Sequence, residues 1–186
     1  MHSQDIVVAL ELALTGEALS YADLASALSL SPSQVHTAVA RLQQSGLLLA
    51  GTRKVNRRAL TEFLIHGLKY VFPPERGAVM RGVPTAHSAP PLSDEIVSDD
   101  LPVVWPHPEG AVRGESLLPL HRCVPAAARA SEPLYHALAL IDAIRAGRAR
   151  ERKLAVEKLK EMIRGKRSRS KQSAAGPRRK STLRSV

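Results

Sequence analysis

The segment from Tyr21 to Leu48 admits few folds, because its helix signals, turn and apolar residues stand at fixed distances from one another. Ser31 is placed to cap a helix, Pro32 takes the first helical position, where its missing N–H does no harm, and Gln34 completes a Ser-x-x-Gln capping box. Val35, Ala38, Val39 and Leu42 then recur at helical spacing and predict one buried stripe, which Gly46 terminates. A shorter helix is expected over 21–28, with Leu24, Ala25 and Leu28 inward and Ser29-Leu30-Ser31 as the turn. Ala25 is small where the two helices would cross. Ser29, four residues on, holds the turn position where glycine is commonest. Val35, six residues later, fills the space between the helices. Upstream, Ile6, Leu10, Ala13 and Leu14 give one face of a helix over 4–15, stopped by Gly16. Downstream, Leu47–Ala50 reads as a strand, Gly51-Thr52 as a turn and Arg53–Asn56 as the returning strand. Asn56 caps a fourth helix over 57–69 whose face is Leu60, Phe63, Leu64 and Leu68. The expected fold class is mainly α with a small β-hairpin.

The face of helix 32–44 opposite its apolar stripe carries Ser33, Gln34, His36, Thr37, Arg41 and Gln44. These side chains hydrogen-bond to base edges or phosphates, and the N-terminal part of such a helix enters the major groove first. Ser33, Gln34 and Thr37 are the expected base contacts, with Thr37 and Ala40 placed for a thymine methyl. Ser33 and the helix N-terminus are also suited to a phosphate, and Ser31 is expected among the DNA-contacting residues. Arg53, Lys54, Arg57 and Arg58 cluster at and just after the hairpin, where bases straddle the backbone and give affinity without sequence information.

These residues carry a resemblance. Tyr21-Ala22-Asp23-Leu24-Ala25, then Ser31 through Leu42, then Gly46-Leu47-Leu48 resemble the winged helix-turn-helix of bacterial MarR-like transcriptional regulators over residues 3–70. The resemblance implies that helix 32–44 reads DNA and that the hairpin is a wing. It covers little more than a third of the chain. MarR proteins place a dimerising helix before this domain as well as after it, and the proline-rich middle of this chain is foreign to them. A weaker, architectural resemblance is to DNA-binding antitoxins encoded beside nucleotidyltransferase-like toxins.

The rest of the chain reads differently. Residues 73–133 hold eleven of the thirteen prolines, and Pro90-Pro91 and Trp105-Pro106-His107-Pro108 are unsuited to helices or central strands. The segment is expected to be an irregular connector, packed or disordered, and its Val103, Val104, Trp105, Leu117, Leu118 and Leu120 favour packing. Helix resumes near Pro133: Leu134, Ala137, Leu138, Ile141 and Ile144 form a stripe to about Arg145, suited to a second copy or to the N-terminal part. Gly147 kinks or breaks it. Residues 148–163 continue with Ala155, Leu159 and Met162 on one face. Four parts are therefore expected: 1–72 as the winged helix-turn-helix, 73–132 as the connector, 133–163 as helical, and 164–186 as a disordered basic tail.

The net charge of +10 is segregated. Residues 1–40 hold four acids and no Lys or Arg, 41–81 eight bases against two acids, 82–144 three bases against eight acids, and 145–186 sixteen bases against three acids. Two separated basic blocks suit an anionic partner, and Arg145 to Lys160 is expected to lie along DNA. Asp94, Glu95, Asp99 and Asp100 form an acidic patch that could pair with the basic tail. His87, His107, His121 and Cys123 do not match the spacing of a metal finger, so neither metal nor cofactor is expected. No phosphate loop, nucleophile elbow or dinucleotide fingerprint is present, and an enzyme is not expected. No run approaches the roughly 18 apolar residues of a membrane span, no secretory leader is visible, and the single Cys123 fits a reducing cytoplasm. The expectation is a cytoplasmic, nucleoid-associated transcriptional regulator, a repressor binding double-stranded DNA as a dimer. The alternative is an antitoxin that neutralises a partner toxin enzyme through residues 75–163 and represses its own operon.

Overall fold

With aromatic residues at only 3% of the chain, the core has to be aliphatic, and helices supply it. A computed structural model describes residues 1–165. Its elements are α1 (Ser3–Thr15), a 3-10 turn (Gly16–Ala18), α2 (Tyr21–Ala27), α3 (Pro32–Gln44), α4 (Arg57–Glu62), a π turn (Phe63–Gly67), α5 (Leu68–Val71), β1 (Arg76–Pro84), a 3-10 turn (Ala86–Ser88), β2 (Val103–Pro106), β3 (Val112–Leu117), α6 (Val124–Ala130), α7 (Glu132–Ala146) and α8 (Ala149–Arg164). The protein is mainly helical with a small three-stranded sheet. Residues 166–186, most of the expected tail, lie outside the described residues.

The helices at 4–15, 21–28 and 32–44 form where their signals stand. Ser20 caps α2 by accepting from the Asp23 N–H at 3.1 Å, and Ser31 caps α3 by accepting from the Gln34 N–H at 3.2 Å. The inward residues Leu24, Ala25, Leu28, Val35, Ala38, Val39 and Leu42 are all buried. Ser29 takes a left-handed conformation, φ +52°, the region glycine enters without steric penalty. The expected hairpin is minimal. It holds one bridge, Leu48 to Val55, flanked by hydrogen bonds from Leu49 N–H to the Lys54 carbonyl and from Asn56 N–H to the Leu47 carbonyl. The fourth helix is not continuous, since it widens into a π turn at Phe63–Gly67. There a Cβ on residue 67 would press the Phe63 ring at 3.0 Å.

Two helices are buried nearly all round. In α1, Asp5 through Ala13 are all buried, because α3 lies on one side and α7 and α8 on another. The single apolar face expected for it is too narrow a description, as Val7, Val8, Ala9 and Leu12 also face protein. In α7, the stripe of Leu134, Leu138 and Ile141 is covered within the chain by α1, α5, α6 and α8. It therefore offers no face to a second copy. One apolar cluster runs from Ile6 to Ile163, so the C-terminal half is built into the same core as the first. Gly147 breaks the last helical stretch in two, and the buried stripe of α8 is Ala155, Leu159 and Ile163, with Met162 only half-buried.

The proline-rich segment is ordered and holds the sheet, contrary to the expectation of irregular structure. β1 pairs antiparallel with β3 over Arg76–Gly82 and with β2 over Gly82–Pro84, while β2 and β3 run parallel, closing the three strands on themselves. The prolines fall at strand ends: Pro84 closes β1, Pro102 precedes β2 and Pro106 closes it. Closure requires close backbone approach. A Cβ on Gly82 would collide with the Trp105 carbonyl, and one on Gly114 with the Pro102 carbonyl.

A buried ion pair ties the parts together. Asp142 on α7 accepts from Trp105 Nε1 at 2.6 Å, Thr85 Oγ1 at 3.0 Å and Arg145 Nη1 at 2.7 Å. Arg145 in turn donates to the Phe72 and Pro73 carbonyls at 3.0 and 3.1 Å. Burial pushes the Asp142 carboxyl upward, against the pull of the Arg145 charge and the Trp105 and Thr85 donors. Removing either partner strands the other charge. Asp142→Ala and Arg145→Ala should each lower unfolding free energy by about 3–5 kcal/mol, read from urea denaturation. Ser29→Gly should raise it by about 0.5–1 kcal/mol, since relief of the left-handed serine outweighs glycine's larger entropy loss.

Candidate nucleic-acid interface

Anchored by Val35, Ala38, Val39 and Leu42, α3 turns Ser33, His36, Thr37, Ala40 and Gln44 to solvent. These positions fall at helical spacing along one stripe, so the polar face expected from sequence exists. Its N-terminal end is more constrained than the sequence indicated. Gln34 is half-buried, and its Oε1 accepts from the Ser31 N–H at 2.8 Å while Ser31 Oγ accepts from the Gln34 N–H. The capping box thus engages the Ser31 hydroxyl as an acceptor and the Gln34 carbonyl, and leaves the Gln34 amide N–H groups without an internal partner. The Thr37 hydroxyl donates to the Ser33 carbonyl at 2.8 Å, so at this exposed position its O–H is engaged and its oxygen can still accept.

Arg41 has an internal partner. Its Nε and Nη2 donate to the two carboxylate oxygens of Asp5 at 2.8 and 2.6 Å, and the Asp5 side chain is fully buried. The bond raises the Arg41 guanidinium further above its ordinary value. Arg41 therefore anchors α3 to the start of α1 and is not free for phosphate. Arg53 is likewise engaged, donating to the Leu19 and Glu17 carbonyls and lying 5.1 Å from the Tyr21 ring centroid. Tyr21 also packs on the His36 ring at 5.3 Å. A stack of His36, Tyr21 and Arg53 thus joins α3, α2 and the hairpin, and a contact of this kind is worth about 0.5–1 kcal/mol at an exposed site. Gln43 adds a bond from Nε2 to the Thr52 carbonyl at the hairpin tip, at 2.7 Å. Tyr21 and Gln43 were missed in the sequence because their role depends on where the hairpin lies, which no local spacing gives.

Lys54, Arg57 and Arg58 are exposed. Arg57 donates one N–H to the Ile163 carbonyl at the end of α8, and Arg58 pairs with Glu62 at 3.3 Å with its side chain 90% exposed. Two clefts meet at Arg57. One, about 540 Å³, runs along Arg53, Lys54 and Val55. The other, about 440 Å³, lies between α4 and α8.

The other candidate groups stand apart. His87 lies 3.7 Å from Glu151, both nearly buried. His107 Nδ1 accepts from the Glu109 N–H. His121 Nδ1 sits 3.0 Å from Cys123 Sγ, where burial lowers the imidazole and pushes the Cys123 thiol up to about 11, leaving it neutral. No group of three or more metal-binding side chains occurs among the described residues. In the acidic patch, Glu95 pairs with Lys158 and Asp100 with Arg148, so these acids already meet bases of α8. A cleft of about 580 Å³ beside β1 is lined by charges that neutralise one another, Arg148 with Asp100 and Arg76 with Glu115. No helix among the described residues is long and apolar enough to cross a membrane.

Neither protein-family models, curated proteins nor solved structures match the chain.

Arg41→Ala should cost about 2–3 kcal/mol of stability by stranding the buried Asp5 carboxylate, measured by thermal or urea unfolding. At temperatures where the variant stays folded, the salt dependence of its binding to duplex DNA should equal that of the parent. A slope lower by about one would instead mean that Arg41 neutralises a phosphate.

Proposed function

We propose that the chain is a sequence-specific DNA-binding transcriptional regulator that represses by occupying its promoter, with α3 as the helix that enters the major groove. One observation carries the reading. An exposed stripe of Ser33, Thr37, Ala40 and Gln44 runs along a helix whose opposite face is locked into the core, and a hairpin bearing the exposed Lys54 is held against the same helix by Gln43. A side chain discriminates bases only when the backbone carrying it is fixed, and α3 is fixed by its apolar stripe, the capping box at Ser31 and the Arg41–Asp5 pair. Hydroxyl, amide and methyl groups on that stripe suit base edges. Lys54 and Arg58 suit the phosphates beside them. The resemblance of residues 3–70 to winged helix-turn-helix regulators points the same way.

The test is binding to the protein's own promoter against random duplex of equal length, by fluorescence anisotropy at moderate salt. The parent should prefer its promoter. Thr37→Ala and Gln44→Ala should erode that preference by roughly 1–3 kcal/mol for each base edge no longer read, with little effect on random duplex. Lys54→Ala should weaken both duplexes alike and reduce the salt slope by about one. If all three variants act equally on promoter and random DNA, α3 is not the reading helix.

A further inference from the structure

The cleft between α4 and α8 gathers positive charge from two distant parts of the chain. Arg57 and Arg58 come from the first turn of α4 and Lys160 and Arg164 from the last turns of α8, with the His66 ring of the π turn beside them. Glu62 is the one acid along it, and it is paired with Arg58. Among the described residues, Arg57, Lys160 and Arg164 have no carboxylate within ion-pair distance. The walls are fixed to each other, since Arg57 donates to the Ile163 carbonyl and Ile163 is buried beneath the cleft. Three other bases of the stretch 145–160 differ from these in having acidic partners. Arg145, Arg148 and Lys158 pair with Asp142, Asp100 and Glu95, so the sequence expectation that the whole stretch from Arg145 to Lys160 lies along DNA does not hold for them.

We propose that this cleft seats the phosphodiester backbone of duplex DNA, extending the interface past the hairpin onto α8. The inference rests on the DNA-binding reading and deepens it by naming a second backbone contact. Continuity supports the choice of occupant. Arg57 belongs both to this cleft and to the one that holds the hairpin residues Arg53 and Lys54, so the two clefts adjoin at a base. The chemistry fits as well: clustered Lys and Arg facing one opening bind a polyanion by releasing its counterions, without reading sequence. Beyond Gly165 the sequence continues with eight Lys or Arg and no Asp or Glu, so no acid from that part of the chain competes for the cleft.

The test uses the full chain, a random 30-base-pair duplex and anisotropy over a range of salt. In Lys160→Gln/Arg164→Gln the slope of log affinity against log salt should fall by about two relative to the parent. Hydroxyl-radical protection of promoter DNA should shorten at one flank while the centre and the promoter preference persist. Arg150→Gln/Lys153→Gln removes the same charge from exposed positions of α8 outside the cleft and should leave slope and footprint unchanged. Lys160→Arg/Arg164→Lys, which keeps the charges, should bind as the parent does, and unfolding midpoints confirm that all variants fold. If the two neutralised pairs lower the slope equally, only diffuse charge is at work and the cleft is no seat. If the slope is unchanged while promoter preference persists, the inference fails and the regulator reading stands. If the parent shows no salt-dependent binding to any duplex, both fall.

Discussion

The Asp142–Arg145 pair is the contact on which the rest of this fold depends. A carboxyl group without partners is costly to bury in an apolar core, and this one has three donors from three places: Trp105 on β2, Thr85 after β1 and Arg145 one turn along α7. Arg145 then reaches back to the carbonyls of Phe72 and Pro73, where the helical first part of the chain ends. A single buried node therefore fixes the path of the proline-rich segment against α7, and α7 against the helices that lead into it. Tyr135 extends it, its hydroxyl donating to the Pro84 carbonyl and its ring meeting the Trp105 ring edge-on.

The rigidity reaches the candidate interface through α1. That helix is packed between α3 and α7, and its buried Asp5 holds Arg41 of α3. The exposed stripe of α3 is thus presented by a helix with little freedom to rotate. The same logic explains why so many polar groups near the stripe have internal partners. Ser31 and Gln34 close the helix start, Arg53 holds the 3-10 turn after α1, and His36 leans on Tyr21. What remains outward is a short set, Ser33, Thr37, Gln44 and Lys54, with Arg57 and Arg58 further along.

Much of this was legible from local spacing. The caps at Ser20, Ser31 and Asn56 and the apolar stripes of α2 and α3 follow from chemistry within a few residues, and they stand where the sequence places them. The turn at Ser29 was legible by position, although its left-handed backbone sits on a residue that resists it. The sheet was not legible. Its strands are short, bounded by Pro84, Pro102 and Pro106, and they pair across long stretches of chain, so no alternation within one window announces them. Nor could sequence tell which arginines were free. Arg41 and Arg58 look alike among the surface bases, yet one grips a buried carboxylate from a helix 36 residues away and the other is 90% exposed. The same lack of any local signal hid the cleft that Lys160 and Arg164 share with Arg57 and Arg58.

The central claim is that DNA lies along α3, the hairpin and the α4–α8 cleft. The most direct measurement is a backbone-amide NMR titration of the full chain with its own promoter duplex. The expected result is saturable shift changes confined to residues 33–44, 51–58 and 160–165, with the sheet residues 76–82 and 112–117 unmoved. Shift changes centred on the sheet and the cleft beside β1, with α3 silent, would contradict it.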